Sequence, residues 1–453
     1  MKLLRPLALF GLMLLPALPD VAAQGAGDDE TKLKFALVFM RHGVRSPLKD
    51  SSVYYSPYGV EEWPKWPVQA GNGNLTPHGG QLLTLLGGYY LRYFTDQRIL
   101  TGIAKEDAKR IYFYADDVPR TLNSAKATAS GLLPGSGSEV HCSTATPDPL
   151  FHPVAAGLGP PNYTLAAAAL NGRLGSNPGE LTTANNLQFA LLERALLNIS
   201  LEDAEANPGI TVKGKKSVQA LPLTVSEGSK GSIVAFSGSV DTASTLTEIF
   251  LLEYAEGMPD NQVGWGRVTQ DQIAQLTQLH TLDFDLKDRT PYIAQAQGSN
   301  LLLHIMNTLK QAASGSRIDP AIGSPNDRLV MLVGHDDQLA SVGSLLRANW
   351  QLKTFAWNDT PPGGGMVFEL RQKRDGALIV RVYYLSQTLD QMHYLTSLVI
   401  NNTPSRAPIF IPGASGNGPY FDVPLADFNR VVDRAIDLRF TGKSPPPGVS
   451  CGG

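Results

Sequence analysis

Hydrophobic and polar positions along the chain fall into two textures. Short apolar runs bounded by turn residues read as buried strands: Leu33 to Met40, Arg110 to Ala115, Arg328 to Val333, and the pair Met366 to Leu370 and Leu378 to Leu385, which reads as a hairpin. Between them, apolar residues recur at helical spacing over Gln81 to Phe94, Leu122 to Leu132, Leu301 to Ala313 and Gln338 to Leu346. Thr76 and Pro77 supply a cap and a first turn for the earliest of these helices. Strands alternating with helices predict an α/β fold, with a central, mostly parallel sheet flanked by helices. From about residue 155 to 284 the texture changes to alanine-rich helical segments, Leu165 to Leu170 and Thr183 to Leu197, then a candidate helix Thr242 to Glu256 closed by Gly257-Met258-Pro259. Few strands are evident there. The expected organisation is an α/β domain of 24–154 and 285–453 interrupted by an all-helical insertion, 155–284. Asp359 to Gly365 is a turn cluster and Ser444 to Gly453 a Pro/Gly-rich tail.

Composition narrows the class. With 453 residues, 43% hydrophobic and 17% charged, the chain can bury a large core. A net charge of −3 argues against a general nucleic-acid binder, so any positive site must be local. Lys2 and Arg5, the apolar run Pro6 to Leu18 and the small residues Val21-Ala22-Ala23 form the three regions of a secretory signal, residues 1–23, with cleavage expected after Ala23. That run is short for a membrane span and no later stretch approaches 18 apolar residues, so the mature protein is expected to be soluble, periplasmic or secreted. The two cysteines, Cys142 and Cys451, can pair in an oxidising compartment or remain as thiols.

The chemistry-bearing residues gather at strand ends. Arg41-His42-Gly43-Val44-Arg45-Ser46-Pro47 follows the first strand, and in α/β sheets ligands bind at such ends. Guanidinium forks suit phosphate or carboxylate oxygens, and a neutral imidazole can attack phosphorus. A lone histidine is more often packed or capping, but flanking arginines change that balance. Gly43 is expected to let backbone approach a ligand. Arg120 sits where the second strand meets a helix, and Gly334-His335-Asp336 follows the late strand. Phosphoryl transfer requires positive charge around the phosphate, a nucleophile and a proton for the leaving oxygen. Arg41, Arg45 and Arg120 can supply the first, His42 the second and Asp336 the third, with His335 bonding a phosphate oxygen. An aspartic acid in that role predicts an acidic optimum. The other six histidines show no metal-ligand spacing, so neither metal nor cofactor is expected. Gly-x-x-x-x-Gly-Lys-Ser/Thr and Gly-x-Ser-x-Gly are both absent, which disfavours a nucleotide-driven kinase and a serine hydrolase.

Arg-His-Gly-x-Arg-x-Pro at 41–47 together with His335-Asp336 resembles the paired signature of the histidine acid phosphatases, a branch of the histidine phosphatase superfamily. Further segments are similar to its bacterial periplasmic phytase, acid phosphatase and glucose-1-phosphatase subgroup: Trp63 to Pro67, Leu75 to Gly80, Thr245 to Arg267, Arg289-Thr290-Pro291, Gly334 to Ala340 and Asp359 to Gly364. The resemblance implies a metal-independent phosphomonoesterase working through a phosphohistidine on His42, with Asp336 as general acid and Arg41, Arg45, Arg120 and His335 on the phosphate. It also implies substrate contacts from Lys49, Asp116, Glu248 and Arg289, and a phosphate ester, phytate first, held between the two domains. Glucose-1-phosphatase or broad acid phosphatase activity is the alternative. A phosphomutase and an inactive phospho-ligand binder on the same scaffold are competitors. The chain departs from the subgroup at Asp337-Gln338, usually Thr-Asn, at Leu48, usually a hydroxyl residue, and in its low cysteine count.

Overall fold

The computed structural model describes residues 31–229, 231–442 and 448–451. The signal segment expected over 1–23 lies outside the described residues. Among the described residues eleven strands occur in chain order: β1 (Lys32–Arg41), β2 (Ile111–Ala115), β3 (Val140–Ser143), β4 (Thr224–Ser229), β5 (Ser232–Ser237), β6 (Leu329–Gly334), β7 (Gly365–Gln372), β8 (Leu378–Ser386), β9 (Ser405–Pro408), β10 (Val423–Pro424) and β11 (Gly448–Ser450). Nine form one sheet in the order β10-β8-β7-β1-β6-β2-β3-β11, with β9 beside β8.

The sheet is mixed. Its centre, β1-β6-β2-β3, is parallel, whereas β7, β8, β9, β10 and β11 pair antiparallel at the two flanks. The β7–β8 pair is the hairpin expected from the sequence. β1 shows why an uninterrupted apolar run makes a central strand: Phe35, Leu37 and Phe39 enter one core, while Ala36, Val38 and Met40 enter the other. Helices Pro77–Asp96 and Pro119–Leu132 cover the second face, and helix Pro291–Ser314 packs on the first. Thr76 caps helix Pro77–Asp96, its hydroxyl accepting from Gly79 N at 2.9 Å.

The stretch 155–284 is mostly helical, but not wholly so. β4 and β5 form an antiparallel hairpin within it, because Ile233, Val234 and Phe236 offer a small buried face that a strand can use. It also contains helix Gln270–Lys287, which the apolar spacing did not reveal; a capping box, Thr269 with Gln272, opens it. Cys142 and Cys451 form a disulfide with Cα atoms 5.8 Å apart, beside the β3–β11 pairing. Among the described residues no helix is long and apolar enough to cross a membrane.

Candidate active site

β1 and β6 run side by side and end together. Arg41 is the register partner of Gly334, and His42 N donates to Gly334 O at 3.0 Å. The two motifs, almost 300 residues apart in sequence, therefore open into one crevice. The turn at 359–364 closes over it: Gly363 N donates to His42 O at 2.9 Å, and Arg41 donates to Thr360 O at 2.8 Å. Gly43 also makes room for packing against its own backbone. A Cβ there would stand 2.7 Å from Leu83 Cδ1 and 2.9 Å from Leu75 Cδ1, so the missing side chain admits helix Pro77–Asp96.

His42 is buried, and its Nδ1 lies 2.9 Å from Gly43 O. A carbonyl oxygen can only accept, so Nδ1 carries the proton and Nε2 presents its lone pair. Burial, then the charges of Arg41 and Arg120, hold this imidazole well below its ordinary pKa. It is thus kept neutral, the state a nucleophile needs.

The arginines are held by carboxylates. Glu248, from helix Ser239–Ala255, bonds Arg41 and accepts from Arg45 Nη2 at 2.8 and 3.0 Å. Asp336 pairs with Arg41 Nη2 at 2.6 Å. Burial alone favours a protonated Asp336, but the charge of Arg41 outweighs it and holds the carboxyl far below its usual range. Asp336 and Glu248 thus occupy the guanidinium faces that a phosphate would take.

Arg120 stands at the start of helix Pro119–Leu132, and His335 precedes helix Asp336–Leu345. Arg120 Nη2 lies 3.2 Å from His335 Nδ1, and His335 Nε2 lies 2.7 Å from Asp116 Oδ2. Arginine can only donate and a carboxylate can only accept, so His335 carries its proton on Nε2. The His42 and His335 rings are 5.5 Å apart, edge to face. His335 N donates to Gln338 Oε1 at 2.8 Å, which gives Gln338 a capping role. The Asp337 carboxylate accepts from Gln338 N at 2.9 Å; burial and then the charge of Asp337 push the Asp288 carboxyl well up.

Three expected substrate contacts are placed differently from the expectation. Asp116 is fully buried, with one oxygen shared by His335 and, at 3.0 Å, by His152, and His335 links it to Arg120. Burial opposes ionisation of Asp116, but hydrogen bonds from the two imidazoles win and lower it. Glu248 bonds the arginines. Arg289 donates to Ala348 O at 2.8 Å and lies over the Trp350 ring, at the far end of helix Asp336–Leu345 from Asp336. Ten residues of helix span about 15 Å, and the pairing of Arg289 with Asp285 and the Ala348 carbonyl keeps it there. Lys49 is exposed, its ammonium 5.4 Å from the Tyr54 ring centre, and a Cβ on Gly73 would meet both Leu48 and Arg120. That places Leu48 at the rim of the arginine cluster.

Spacing gave no sign of two further histidines. His152 joins Asp116 and His335, and His280 joins Glu248 and Asp336; in each trio one donor atom per residue lies within 4.8 Å of the others. In the first, two imidazoles already share the carboxylate; in the second, Arg41 bonds both carboxylates. His280 escaped notice because its helix did.

The model of the histidine phosphatase superfamily (branch 2) matches residues 32–385. The chain is 32% identical to Phytase AppA of Escherichia coli (strain K12) over 436 residues, covering 93% of this chain and 96% of that protein. It is 24% identical to the glucose-1-phosphatase of Providencia rettgeri, covering 95% and 98%. The structure of Hafnia alvei phytase in complex with tartrate superposes with a TM-score of 0.80 at 32% identity, covering 91% of this chain and 99% of that one. The match of the family model over most of the chain, and similarity across nearly the whole length of such relatives, make the chain a member of the histidine phosphatase superfamily, branch 2, and a phosphoric monoester hydrolase.

Proposed function

We propose that the protein is an exported acid phosphatase acting on phosphorylated polyols, phytate foremost. The observation that carries this reading is the meeting of His42, Asp336 and Arg41 at adjoining strand ends. Phosphate binds Arg41, Arg45 and Arg120. His42 Nε2 attacks phosphorus in line as the ester P–O bond breaks, and Asp336 gives its proton to the departing alcohol. Water then attacks the phosphohistidine, giving a proton to Asp336 and releasing phosphate and His42. Phosphate also resolves the charge on Asp336: by engaging Arg41 it weakens the ion pair that keeps the carboxyl ionised, so the acid forms in the complex.

Support for the substrate comes from the phytase relatives, one of whose structures is a complex with myo-inositol hexakis sulphate. The glucose-1-phosphatase relatives favour a second reading, a sugar phosphatase. The helical stretch 155–284 reads as an inserted domain supplying one wall of the crevice, since Glu248 reaches Arg41 and Arg45 from it. Export is supported by the N-terminal pattern and by the Cys142–Cys451 disulfide.

The test is phosphate release from phytate, glucose 1-phosphate and 4-nitrophenyl phosphate between pH 3 and 7. Preference for phytate at acidic pH is expected. Equal turnover of all three removes the phytase reading, and ligand binding without turnover removes the enzyme reading.

A further inference from the structure

A buried imidazole lies behind the catalytic carboxylate. His280 is 4% exposed, and its Nδ1 is 3.0 Å from Ser244 Oγ. Its Nε2 is buried with no hydrogen-bond partner among the described residues. A buried polar atom without a partner calls for an explanation, and a catalytic role or a bridging water is among those open to a ring nitrogen beside carboxylates. A ring nitrogen of His280, a Glu248 oxygen and an Asp336 oxygen all lie within 4.8 Å of one another. One water spans such a gap with two hydrogen bonds of about 2.8 Å each. The groups facing His280 come from every element around it. They are Glu248 and Ser244 on helix Ser239–Ala255, Asp283 on its own helix, Asp336 from the β6 end and Asp359 from the turn over the crevice. Arg41 bonds Glu248 and Asp336 on their other side. His280 thus stands within one bridging water of both Glu248 and Asp336.

We propose that His280 is a positioning residue that stores the proton Asp336 delivers to the leaving alcohol; this rests on the phosphatase reading above. In the free enzyme Arg41 stabilises the Asp336 carboxylate and the proton resides on His280. Phosphate engages Arg41, the proton passes to Asp336, and from there to the ester oxygen as the P–O bond breaks and the His42–phosphorus bond forms. Water attacking the phosphohistidine reprotonates Asp336. When phosphate leaves and Arg41 returns, the proton goes back to His280.

The experiment exploits leaving-group chemistry. An alkyl phosphate, glycerol 2-phosphate, needs a proton on its leaving oxygen; 4-nitrophenyl phosphate does not. His280→Gln is expected to lower kcat on glycerol 2-phosphate about tenfold and to move the alkaline limb of its pH profile downward, with kcat on 4-nitrophenyl phosphate within about twofold and KM unchanged. Ser244→Ala, which removes the Nδ1 partner, should shift the same profile less and in the same direction. Equal losses on both esters, or no loss on either, overturn the proposal. If His280→Gln does not fold, Ser244→Ala decides by the same ratio. Wild-type protein that hydrolyses neither ester defeats the phosphatase reading itself, an outcome separate from these.

Discussion

Strands β1, β2 and β6 carry basic residues at both ends, and the two ends differ in what holds the charge. At the C-terminal end, Arg41 and Arg45 are buried and each is fixed by a carboxylate; Arg120 is oriented against His335. At the N-terminal end, Lys32, Lys34, Arg98, Lys109, Arg110 and Arg328 line adjoining hollows, the larger about 450 Å³. All but Lys34 are exposed, and among the described residues none of the six forms an ion pair. These hollows lie at the end away from His42 and Asp336. On the proposed reading, the contrast teaches that exposed positive charge does not suffice for a phosphate site and that fixed guanidinium geometry matters, since a catalyst gains from groups that need no reorganisation when the phosphate arrives.

The sharpest break in the comparison removes the nucleophile. His42→Ala should lower kcat on any phosphomonoester by about 10⁴-fold or more, because the neighbouring imidazole, His335, has both nitrogens engaged, by Arg120 and Asp116, and cannot replace it. Acid-quenched enzyme exposed to ³²P-labelled ester should carry label in the wild type and none in the variant. Asp336→Asn should cost about 10²- to 10⁴-fold on glycerol 2-phosphate and far less on 4-nitrophenyl phosphate.

Glu248 tests whether the arginines are truly held. Removing one partner from a buried ion pair costs about 3–5 kcal/mol, and Glu248 serves two guanidinium groups. Glu248→Ala should therefore unfold at lower temperature than wild type. Inorganic phosphate should restore more stability to the variant than it adds to wild type, since the freed guanidinium groups bind the anion without first releasing a carboxylate. Equal stabilisation by phosphate in both proteins would show that Glu248 does not compete with the ligand.

What the sequence disclosed and what it hid follow the same division. Local signals were legible: the apolar run of β1, the cap at Thr76, the arginines at strand ends and His335-Asp336 after β6 all depend on neighbours within a few residues. So was the meeting of the two motifs, because parallel strands in such sheets end on one side. Long-range pairings were not legible. Nothing near Asp116 in the chain shows that His152 and His335 would share its carboxylate, and nothing near Arg289 shows that the Ala348 carbonyl would take its guanidinium. The hairpin β4–β5 was hidden by its polar residues, since no residue of β4 is buried and β5 begins and ends on exposed serines.

Acidity should affect stability in the direction set by buried carboxyls. Burial pushes Asp148 up to about 7, Glu253 to about 8 and Glu256 to about 7. Folding favours their protonated forms, so their contribution is complete below the unfolded values, near 4, and is lost as pH rises through 7 to 8. His42, held neutral, acts oppositely as pH falls through 6.5, and lowered Asp116, Asp336 and Glu248 do so only below about 4. The thermal midpoint should stand a few degrees higher at pH 5 than at pH 8. Glu253→Gln, which keeps the shape and cannot ionise, should flatten that difference.

The smallest effect belongs to the far end of the sheet, and it bears most directly on the comparison. If charge alone draws phosphate esters to this protein, neutralising three of these six cations should slow capture as much as damage near the crevice does. If fixed geometry governs, Arg110→Gln with Arg328→Gln and Lys34→Gln should leave kcat/KM within about twofold at physiological salt, where exposed charges beyond about 8 Å are screened. These strands run 5 to 10 residues, so the two ends lie about 17 to 33 Å apart, two Debye lengths or more. Repeating the measurement at about 0.01 M salt, where screening extends to about 30 Å, should reveal whatever steering the basic end supplies as a fall in kcat/KM with kcat unchanged. A fall of similar size at both salt concentrations would place a functional contact at the basic end, and the division between its two ends would fail.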